Sequence, residues 1–490
     1  MIDLSNNISV CVVLLFYTSF LAYLGWVGFK KTKTFSDYTI GGRSLSPFIG
    51  AMNVGASDMS SWLLMGLPSA FYLQGFNQIW MSIGLIFGSY LSWTIMARRL
   101  RCYSEISRNS ITISSFLQNR FRDNIGTIRI ITAIMILFFF VIYIASGFVG
   151  SAKLLTNFFG FEYHNALIFS IIVIVFYAVL GGFLAISWAD CFQGMLILFA
   201  LLLVPGAMFF SIKSQNINIF ETIKNISPDL LNPFYNVTVA SFLAIFSWGL
   251  GYFGQPHIIS KYMSIKEVSE MKSARNICLS WMITNLTMAM LVGIFGIVFF
   301  ADNPLKDPEM IFITSSYNLL PLFVIGILIS AIMATIMSTA NSQIIICCSA
   351  ISEDLFNKFL KVKITDKKML HLSRFFIIVI TFVSYFFATD PNNTVLSLVA
   401  RAWSGLGATI GPIMIFALFW KKTTKLGAIA GIISGGIGSI VFSKLPYFAY
   451  EILPAFLTSC LFIFVVSKFT KNPEQQEIDK EFDEMVRMVG

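Results

Sequence analysis

Residues 56–62 read Ala-Ser-Asp-Met-Ser-Ser-Trp and place a carboxylate and three hydroxyls inside an otherwise apolar run, 48–73. A run of that length is typical of a membrane-spanning helix, because about 20 residues are needed to cross a bilayer. An ionised Asp58 at mid-membrane costs several kcal/mol unless something compensates its charge. Gly55 before it and Pro68 after it weaken the helix, so backbone carbonyls can turn toward a ligand. The stretch therefore predicts a cation or solute site, and the alternative is a polar residue satisfied by a neighbouring helix.

The composition indicates a membrane protein. Of the 490 residues, 56% are hydrophobic and 12% are charged, whereas soluble proteins carry about 25% charged residues. So much apolar surface has to be covered by lipid, which predicts an all-α polytopic protein. The cysteines and histidines show no metal-ligand spacing, and no nucleophile is paired with a base, so we do not expect an enzyme.

Apolar runs long enough to cross a bilayer predict about thirteen spans. They cover roughly 8–29, 47–73, 79–97, 127–154, 164–187, 191–212, 236–255, 277–300, 322–351, 372–389, 394–419, 426–443 and 452–468. The join between the fifth and sixth spans is short, and Asp190 within it is interpreted as a helix N-cap.

The basic residues indicate the orientation. Lys and Arg collect in alternate loops, at 30–43, 98–122, 261–275, 358–368 and 421–425. Because cytoplasmic loops are enriched in basic residues, these loops are expected inside. With thirteen spans, the N-terminus is then outside and the C-terminus cytoplasmic. The net charge of +9 is thus a topology signal, and nucleic-acid binding is not expected.

Two predicted spans are interrupted. The second contains Asp58, and the seventh contains residues 248–256, Trp-Gly-Leu-Gly-Tyr-Phe-Gly-Gln-Pro, whose glycines and proline disfavour a continuous helix. The two spans are five apart and so run in opposite directions, which predicts an inverted repeat of five helices. The alternative for each glycine is close helix packing.

Polar residues also cluster in the ninth span, at Ser338, Thr339, Asn341 and Ser342. In a helix, Thr335, Ser338, Thr339 and Ser342 share one face, since their spacing is three and four residues. Small hard cations prefer oxygen ligands, so this face predicts a cation site. The alternative is that these hydroxyls only bond to carbonyls of the preceding turn.

Several motifs resemble those of the sodium/solute symporter family. They are 41–44 (GGRS), 55–65 (GASDMSSWLLM), 143–147 (YIASG), 181–185 (GGFLA), 248–257 (WGLGYFGQPH), 337–339 (MST), 349–355 (SAISEDL) and 403–405 (WSG). Each motif alone is weak, but the ordered set runs over nearly the whole chain. The resemblance implies a transporter that works by alternating access and has a LeuT-like core of five plus five helices.

On this pattern, residues 1–468 are expected to form the transmembrane transporter domain. It comprises the first span at 8–29, repeat one at about 47–212, repeat two at about 236–419 and two extra spans within 426–468. Residues 469–490 are expected to form a cytoplasmic tail that is a solvated helix or is disordered.

The resemblance also implies binding residues. A sodium ion between the second and ninth spans is expected at the carbonyls of Ala56, Met59 and Thr335 and the hydroxyls of Ser338 and Thr339, with Asp58 supporting the site. The residues that match a second sodium site of some members are Asp190, Ser338, Asn341 and Ser342. Solute contacts are expected from Ser60, Trp62, Tyr143, Trp248, Tyr252 and Pro256. Arg43 matches a gating position linked to sodium-coupled transport.

The resemblance is strongest to bacterial members that carry proline, which implies sodium-coupled import of L-proline across the cytoplasmic membrane. Sodium would be the co-transported ion, the lipid bilayer the surroundings, and no obligate protein partner is expected. Ser61 and Asn341 differ from the residues of proline carriers, so a symporter for another small amino acid or carboxylate is the alternative. A membrane sensor or channel is the rival from another class, although the polar residues cluster at one depth and do not line a path.

Overall fold

The computed structural model describes residues 7–32, 34–180, 182–359, 365–445 and 450–489, and within these ranges it contains helices and no β-strand. The α-helices are α1 Ile8–Lys31, α2 Phe35–Ile40, α3 Pro47–Asp58, α4 Leu67–Gln74, α5 Ile79–Leu91, α6 Ala97–Ile106, α7 Ile113–Arg120, α8 Thr127–Phe159, α9 Tyr163–Leu180, α10 Phe183–Ser214, α11 Ile219–Ile226, α12 Val239–Phe246, α13 Pro256–Tyr262, α14 Met271–Phe299, α15 Ile311–Leu319, α16 Leu322–Ser349, α17 Asp366–Ala388, α18 Val395–Phe419, α19 Lys425–Phe442, α20 Ile452–Phe469 and α21 Gln475–Val489.

Ten helical stretches within the described ranges are long and apolar enough to cross a bilayer. One of them, Trp62–Ile106, contains parts of two predicted spans, and the fifth and seventh predicted spans coincide with the shorter apolar helices Tyr163–Val179 and Val239–Phe253. Every predicted span therefore coincides with helix, which confirms the all-α polytopic class. The number of crossings, thirteen, stays a prediction.

The boundary between the fifth and sixth spans lies earlier in the chain than predicted. Helix α9 ends at Leu180, and α10 begins at Phe183 after Gly182, its N-cap. A Cβ atom on Gly182 would lie 2.9 Å from Oγ1 of Thr32, so the end of α1 requires glycine here. Asp190 consequently lies inside α10, and its interpretation as an N-cap is wrong.

Both predicted interruptions are present. Helix α3 ends at Asp58, and Met59 leaves the helical conformation with ψ 79° before a π-helical turn, Trp62–Gly66, leads into α4. In the seventh span, α12 passes into a 3₁₀ segment, Ser247–Phe253, before α13 begins at Pro256.

The glycines of the 3₁₀ segment also serve close packing. A Cβ atom on Gly251 would lie 2.0 Å from Nε1 of Trp403, and one on Gly249 would lie 2.1 Å from the carbonyl oxygen of Gly84. Both interpretations of these glycines therefore hold, since the same residues interrupt the helix and admit its neighbours.

The interrupted helices lie at the centre of the bundle. Helix α3 contacts α10, α13, α14 and α16, while the 3₁₀ segment Ser247–Phe253 packs between α5 and α18. Helix α8 joins the two groups through its contacts with α16 and α18. Because α3 is surrounded by protein, its interruption is shielded from lipid, as irregular backbone at membrane depth requires.

The C-terminal tail forms a helix that is docked along one face and solvated along the other. Helix α21 packs along α6, with Ile478, Phe482 and Met485 buried. The guanidinium of Arg122 lies 2.5 Å from the carboxylate of Glu481 at this contact.

Candidate functional site

The interruption after Asp58 leaves two carbonyls without their helical donors. The amide of Ser60 donates to the carbonyl of Asp58 (3.1 Å), and the amide of Leu63 donates to the carbonyl of Ser60 (3.0 Å). In a continuous helix these amides would donate to the carbonyls of Ala56 and Met59. The two carbonyls expected to bind sodium have therefore both lost their helical donors.

The side chain of Asp58 links the two interrupted helices. Its Oδ2 accepts a hydrogen bond from the hydroxyl of Tyr252 in the 3₁₀ segment. Its Oδ1 is buried and has no hydrogen-bond partner. The indole nitrogen of Trp62 donates to the backbone carbonyl of Asp58 (3.2 Å), which holds the residues on both sides of the interruption together. A buried carboxylate oxygen without a partner is costly, so this position favours a cation.

Helix α16 brings its predicted oxygen face toward this interruption. The hydroxyls of Ser338 and Thr339 are buried and make no hydrogen bond of ordinary geometry, so the alternative that they only bond to the preceding turn is wrong. That alternative is correct for Thr335, because its hydroxyl donates to the carbonyl of Ile332 (2.7 Å). The backbone carbonyl of Thr335 remains the ligand expected from this residue. Two buried hydroxyls without a hydrogen bond of ordinary geometry therefore point to a ligand.

A second polar cluster forms around Ser57, the residue before Asp58. The hydroxyl of Ser57 donates to Oδ2 of Asp190 (2.9 Å) and lies 3.0 Å from the hydroxyl of Ser342. Ser338 lies beside the same carboxylate, whereas the Asn341 amide is buried without a partner. Of the four residues expected at a second sodium site, the structure thus brings Asp190, Ser338 and Ser342 together.

The ammonium of Lys261 occupies this second cluster. It contacts the Ser57 hydroxyl, the carbonyl of Asn53 (2.9 Å), the hydroxyl of Ser342 (3.0 Å) and Oδ2 of Asp190 (3.3 Å). Lys261 is buried, so its assignment to a basic cytoplasmic loop is wrong. The reason is that α13 restarts at Pro256 and carries the lysine back into the bundle.

The predicted solute residues gather in one aromatic region. The rings of Trp248 and Tyr450 stack with centroids 4.7 Å apart, and Tyr252 meets Trp403 edge to face at 5.2 Å. The ring of Tyr143 lies 5.7 Å from that of His257. Trp403 and Tyr450 were not predicted as members, because they come from elements distant in the chain. His257 was not predicted either, although it follows Pro256 directly in α13.

Several polar groups in this region have no partner. The hydroxyls of Ser60 and Tyr143 lie near each other but form no hydrogen bond of ordinary geometry, and both imidazole nitrogens of His257 are buried without one. Pro256 is buried at the first position of α13. Unsatisfied groups among aromatic rings are what a small zwitterion requires.

Arg43 lies at one end of the bundle and joins three segments. Its guanidinium donates to the carbonyls of Met263 (2.9 Å) and Ser110 (2.9 Å) and to the hydroxyl of Ser104 (3.0 Å). Burial, together with the charge of Arg101, lowers the pKa of Arg43 to about 10, so it stays charged at neutral pH.

A backbone bridge strengthens the same junction. The amide of Leu45 donates to the carbonyl of Ser264 (3.1 Å), and the amide of Lys266 donates to the carbonyl of Leu45 (3.0 Å). The segment before α3 is therefore bonded directly to the segment after α13.

A sequence profile of the Sodium:solute symporter family matches residues 38–435, which include both interruptions, Asp190, Lys261 and the oxygen face of α16. The chain belongs to this family. Symporter relatives match it over nearly its whole length. The high-affinity proline transporter PutP of Bacillus subtilis (strain 168) is 42% identical over 461 residues, 93% of this chain and 97% of that protein. The sodium/proline symporter of Escherichia coli (strain K12) is 39% identical over 457 residues, 92% of this chain and 91% of that protein.

Solved structures share the fold at low sequence identity. A Na+-coupled sialic acid symporter, in a substrate-bound outward-open state, superimposes with a TM-score of 0.81 at 17% identity over 96% of this chain and 99% of its own. The nucleobase-cation-symport-1 family transporter MHP1 superimposes with a TM-score of 0.56 at 14% identity over 91% of this chain and 95% of its own. The symporter thus has the fold that these transporters share.

Proposed function

We propose that this protein is a sodium-coupled symporter that imports L-proline by alternating access. Membership of the sodium:solute symporter family and the names of its relatives support sodium as the coupling ion and proline as the solute. The chain is a multi-pass protein of the bacterial inner membrane. Its activity is transport and not enzymatic turnover.

The charge balance around the interruption is the observation that carries the proposal. The described residues bury two carboxylates here, Asp58 and Asp190, and one ammonium, Lys261. If all three are charged, the region lacks one positive charge. Because an uncompensated buried charge is strongly unfavourable, the site favours a single monovalent cation.

The position proposed for this cation lies between α3 and α16. The carbonyls of Ala56 and Met59 have lost their helical donors, and the hydroxyls of Ser338 and Thr339 make no hydrogen bond of ordinary geometry. With the carbonyl of Thr335 they would supply five oxygens and no charge, which suits a small hard cation. The Asp58 carboxylate would supply the charge without direct contact.

The solute is proposed to bind beside the ion, in the aromatic region. A proline zwitterion needs hydrogen bonds at its two charged ends and apolar walls around its ring. The Ser60 and Tyr143 hydroxyls are without partners, while Trp248 and Tyr252 present ring faces and edges suited to an apolar ring. Trp62 is proposed to position the interruption, since its indole N–H is already bonded to its own chain.

The hydrogen bond from Tyr252 to Asp58 is the proposed link between the two ligands. Sodium would stabilise the arrangement of the interruption, and with it the position of the Tyr252 ring. Proline bound against that ring would in turn favour the sodium-bound form. By linkage, each ligand must raise the affinity for the other by the same factor.

Arg43 is proposed as a gate residue, because its bonds and the Leu45–Ile265 bridge tie α3 to α13 at one end of the bundle. The proposed orientation in the membrane is based on the same end of the bundle. Helix α21 docks there with basic residues, through Arg122 with Glu481 and Lys421 with Asp483. Since basic residues collect inside, we propose that this end and the C-terminus are cytoplasmic and the N-terminus outside.

Uptake of labelled proline into proteoliposomes tests the function. We expect uptake only with an inward sodium gradient, and competition by proline and its close analogues alone. Sodium-dependent uptake without proline selectivity would keep the mechanism and change the solute, and Ser61 and Asn341 would be the first residues to replace. Uptake that is independent of sodium would contradict the proposal.

A further inference from the structure

Lys261 is held like an ion and not like an ordinary buried lysine. Its ammonium contacts four oxygen atoms from three different helices: the Asn53 carbonyl and Ser57 hydroxyl of α3, the Asp190 carboxylate of α10 and the Ser342 hydroxyl of α16. An ammonium has three N–H donors, so the four oxygens exceed its hydrogen-bonding capacity. They form a shell around a charge.

The oxygens in this shell are of the kinds that bind small cations. A carboxylate, a backbone carbonyl and hydroxyls are the ligands that hard cations select. The side chain of Lys261 thus brings a positive charge, covalently attached to α13, into a place built for an ion.

We propose that Lys261 is a tethered substitute for a second sodium ion and sets the transport stoichiometry at one sodium per solute. The proposal rests on the proposed function and deepens it. With Lys261 in place, Asp190 is neutralised and only the charge of Asp58 is left for a mobile cation. Without Lys261, the shell around Asp190 would be empty and negatively charged, and a second sodium ion would bind there.

The first test is the stoichiometry of the unmodified protein. In proteoliposomes with fixed sodium and proline gradients, the membrane potential at which net proline flux stops gives the number of sodium ions moved per solute. We expect one. A value of two in the unmodified protein would overturn the proposal, and an absence of sodium-driven flux would contradict the proposed function instead.

The second test exchanges the side chain. The Lys261→Met variant removes the charge at similar volume and should transport two sodium ions per solute. Lys261→Arg keeps the charge and should keep one. The double variant Lys261→Met/Asp190→Asn removes both charges and should also return to one. Lys272→Met, at an exposed lysine further along the chain, is the matched control and should leave the stoichiometry at one.

Sodium binding to the purified protein tests the proposed role of Lys261 separately from the proposed transport function. Sodium that binds only the folded state raises the midpoint of thermal unfolding, and the increase with the logarithm of sodium concentration scales with the number of bound ions. For Lys261→Met we expect about twice the slope of the unmodified protein, and for the double variant an unchanged slope. Equal slopes in Lys261→Met and the unmodified protein would refute the substitution. If Lys261→Met folds only when sodium is added, that rescue supports the proposed role of Lys261. If Lys261→Met does not fold at any sodium concentration while the double variant does fold, the proposed role is refuted.

Discussion

The hydroxyl of Tyr252 donates a hydrogen bond to the carboxylate of Asp58, and this contact joins the two interrupted helices across the centre of the bundle. One partner comes from the end of α3 and the other from the 3₁₀ segment that precedes α13. The proposed ion and solute positions meet at this bond, so changes on its two sides should have separable effects.

On the ion side, Asp58→Asn should raise the sodium concentration for half-maximal proline uptake about tenfold or more, equal to at least ~1.4 kcal/mol. The amide keeps the size of the side chain and an acceptor for Tyr252 but removes the charge that favours a cation. Sodium titrations of initial uptake rates measure this. Asp302→Asn, at an exposed position, is the control. A sodium dependence like that of the unmodified protein would refute the role given to Asp58.

Ser338→Ala should raise the half-saturating sodium concentration by about tenfold, since a hydrogen-bond-like contact to a charge contributes about 1.5–3 kcal/mol. Ser330→Ala is a control on the same helix, because the Ser330 hydroxyl is also buried but already donates to the carbonyl of Gly326. The two variants are compared by sodium titration at saturating proline. If both shift alike, the effect belongs to α16 in general and not to an ion site.

On the solute side, Trp248→Ala should raise the proline concentration for half-maximal uptake about tenfold and change the sodium dependence much less. The substitution removes a ring that stacks on Tyr450 and, in the proposal, forms a wall of the solute site. Separate titrations of proline and sodium measure the two effects. Equal losses in both would indicate misfolding, and Trp26→Ala, at a ring 52% exposed on α1, shows the effect of losing a tryptophan elsewhere.

The docked tail makes a prediction about stability. Phe482→Ala should cost on the order of 3 kcal/mol, because this buried ring packs edge to face on Tyr103 and lies against the guanidinium of Arg120. A lower thermal midpoint of the purified protein would show it. Met488→Ala, on the same helix at a side chain 53% exposed, should leave the midpoint nearly unchanged. Similar midpoints for both variants would mean that the tail does not contribute to the fold.

The sequence was sufficient to predict the interruptions and the oxygen face of α16. Polar and ionisable residues inside apolar runs are costly in a membrane, so Asp58 and Ser338 are more informative here than they would be in a soluble protein. The face of α16 followed from helical spacing alone, because that helix is continuous from Leu322 to Ser349.

Lys261 could not be placed in the same way. It lies in α13, a helix of seven residues, which is too short to stand out in hydropathy. Of the basic residues that follow it, Lys266 belongs to a loop and Lys272 lies in the first turn of α14. Its burial depends on Asp190, 71 positions earlier in the chain, and such a pairing is a tertiary effect that local patterns do not encode. Tyr450 was missed for the same reason, since its partner Trp248 is in a distant element.

The bridge between Leu45 and Ile265 is made of main-chain atoms alone. The Leu45 and Lys266 amides that form it are therefore protected from exchange with solvent as long as the two segments stay joined. Deuterium uptake at these two amides would count the openings of this end of the protein without any label or introduced cysteine. These two amides therefore report how often the segment before α3 and the segment after α13 separate.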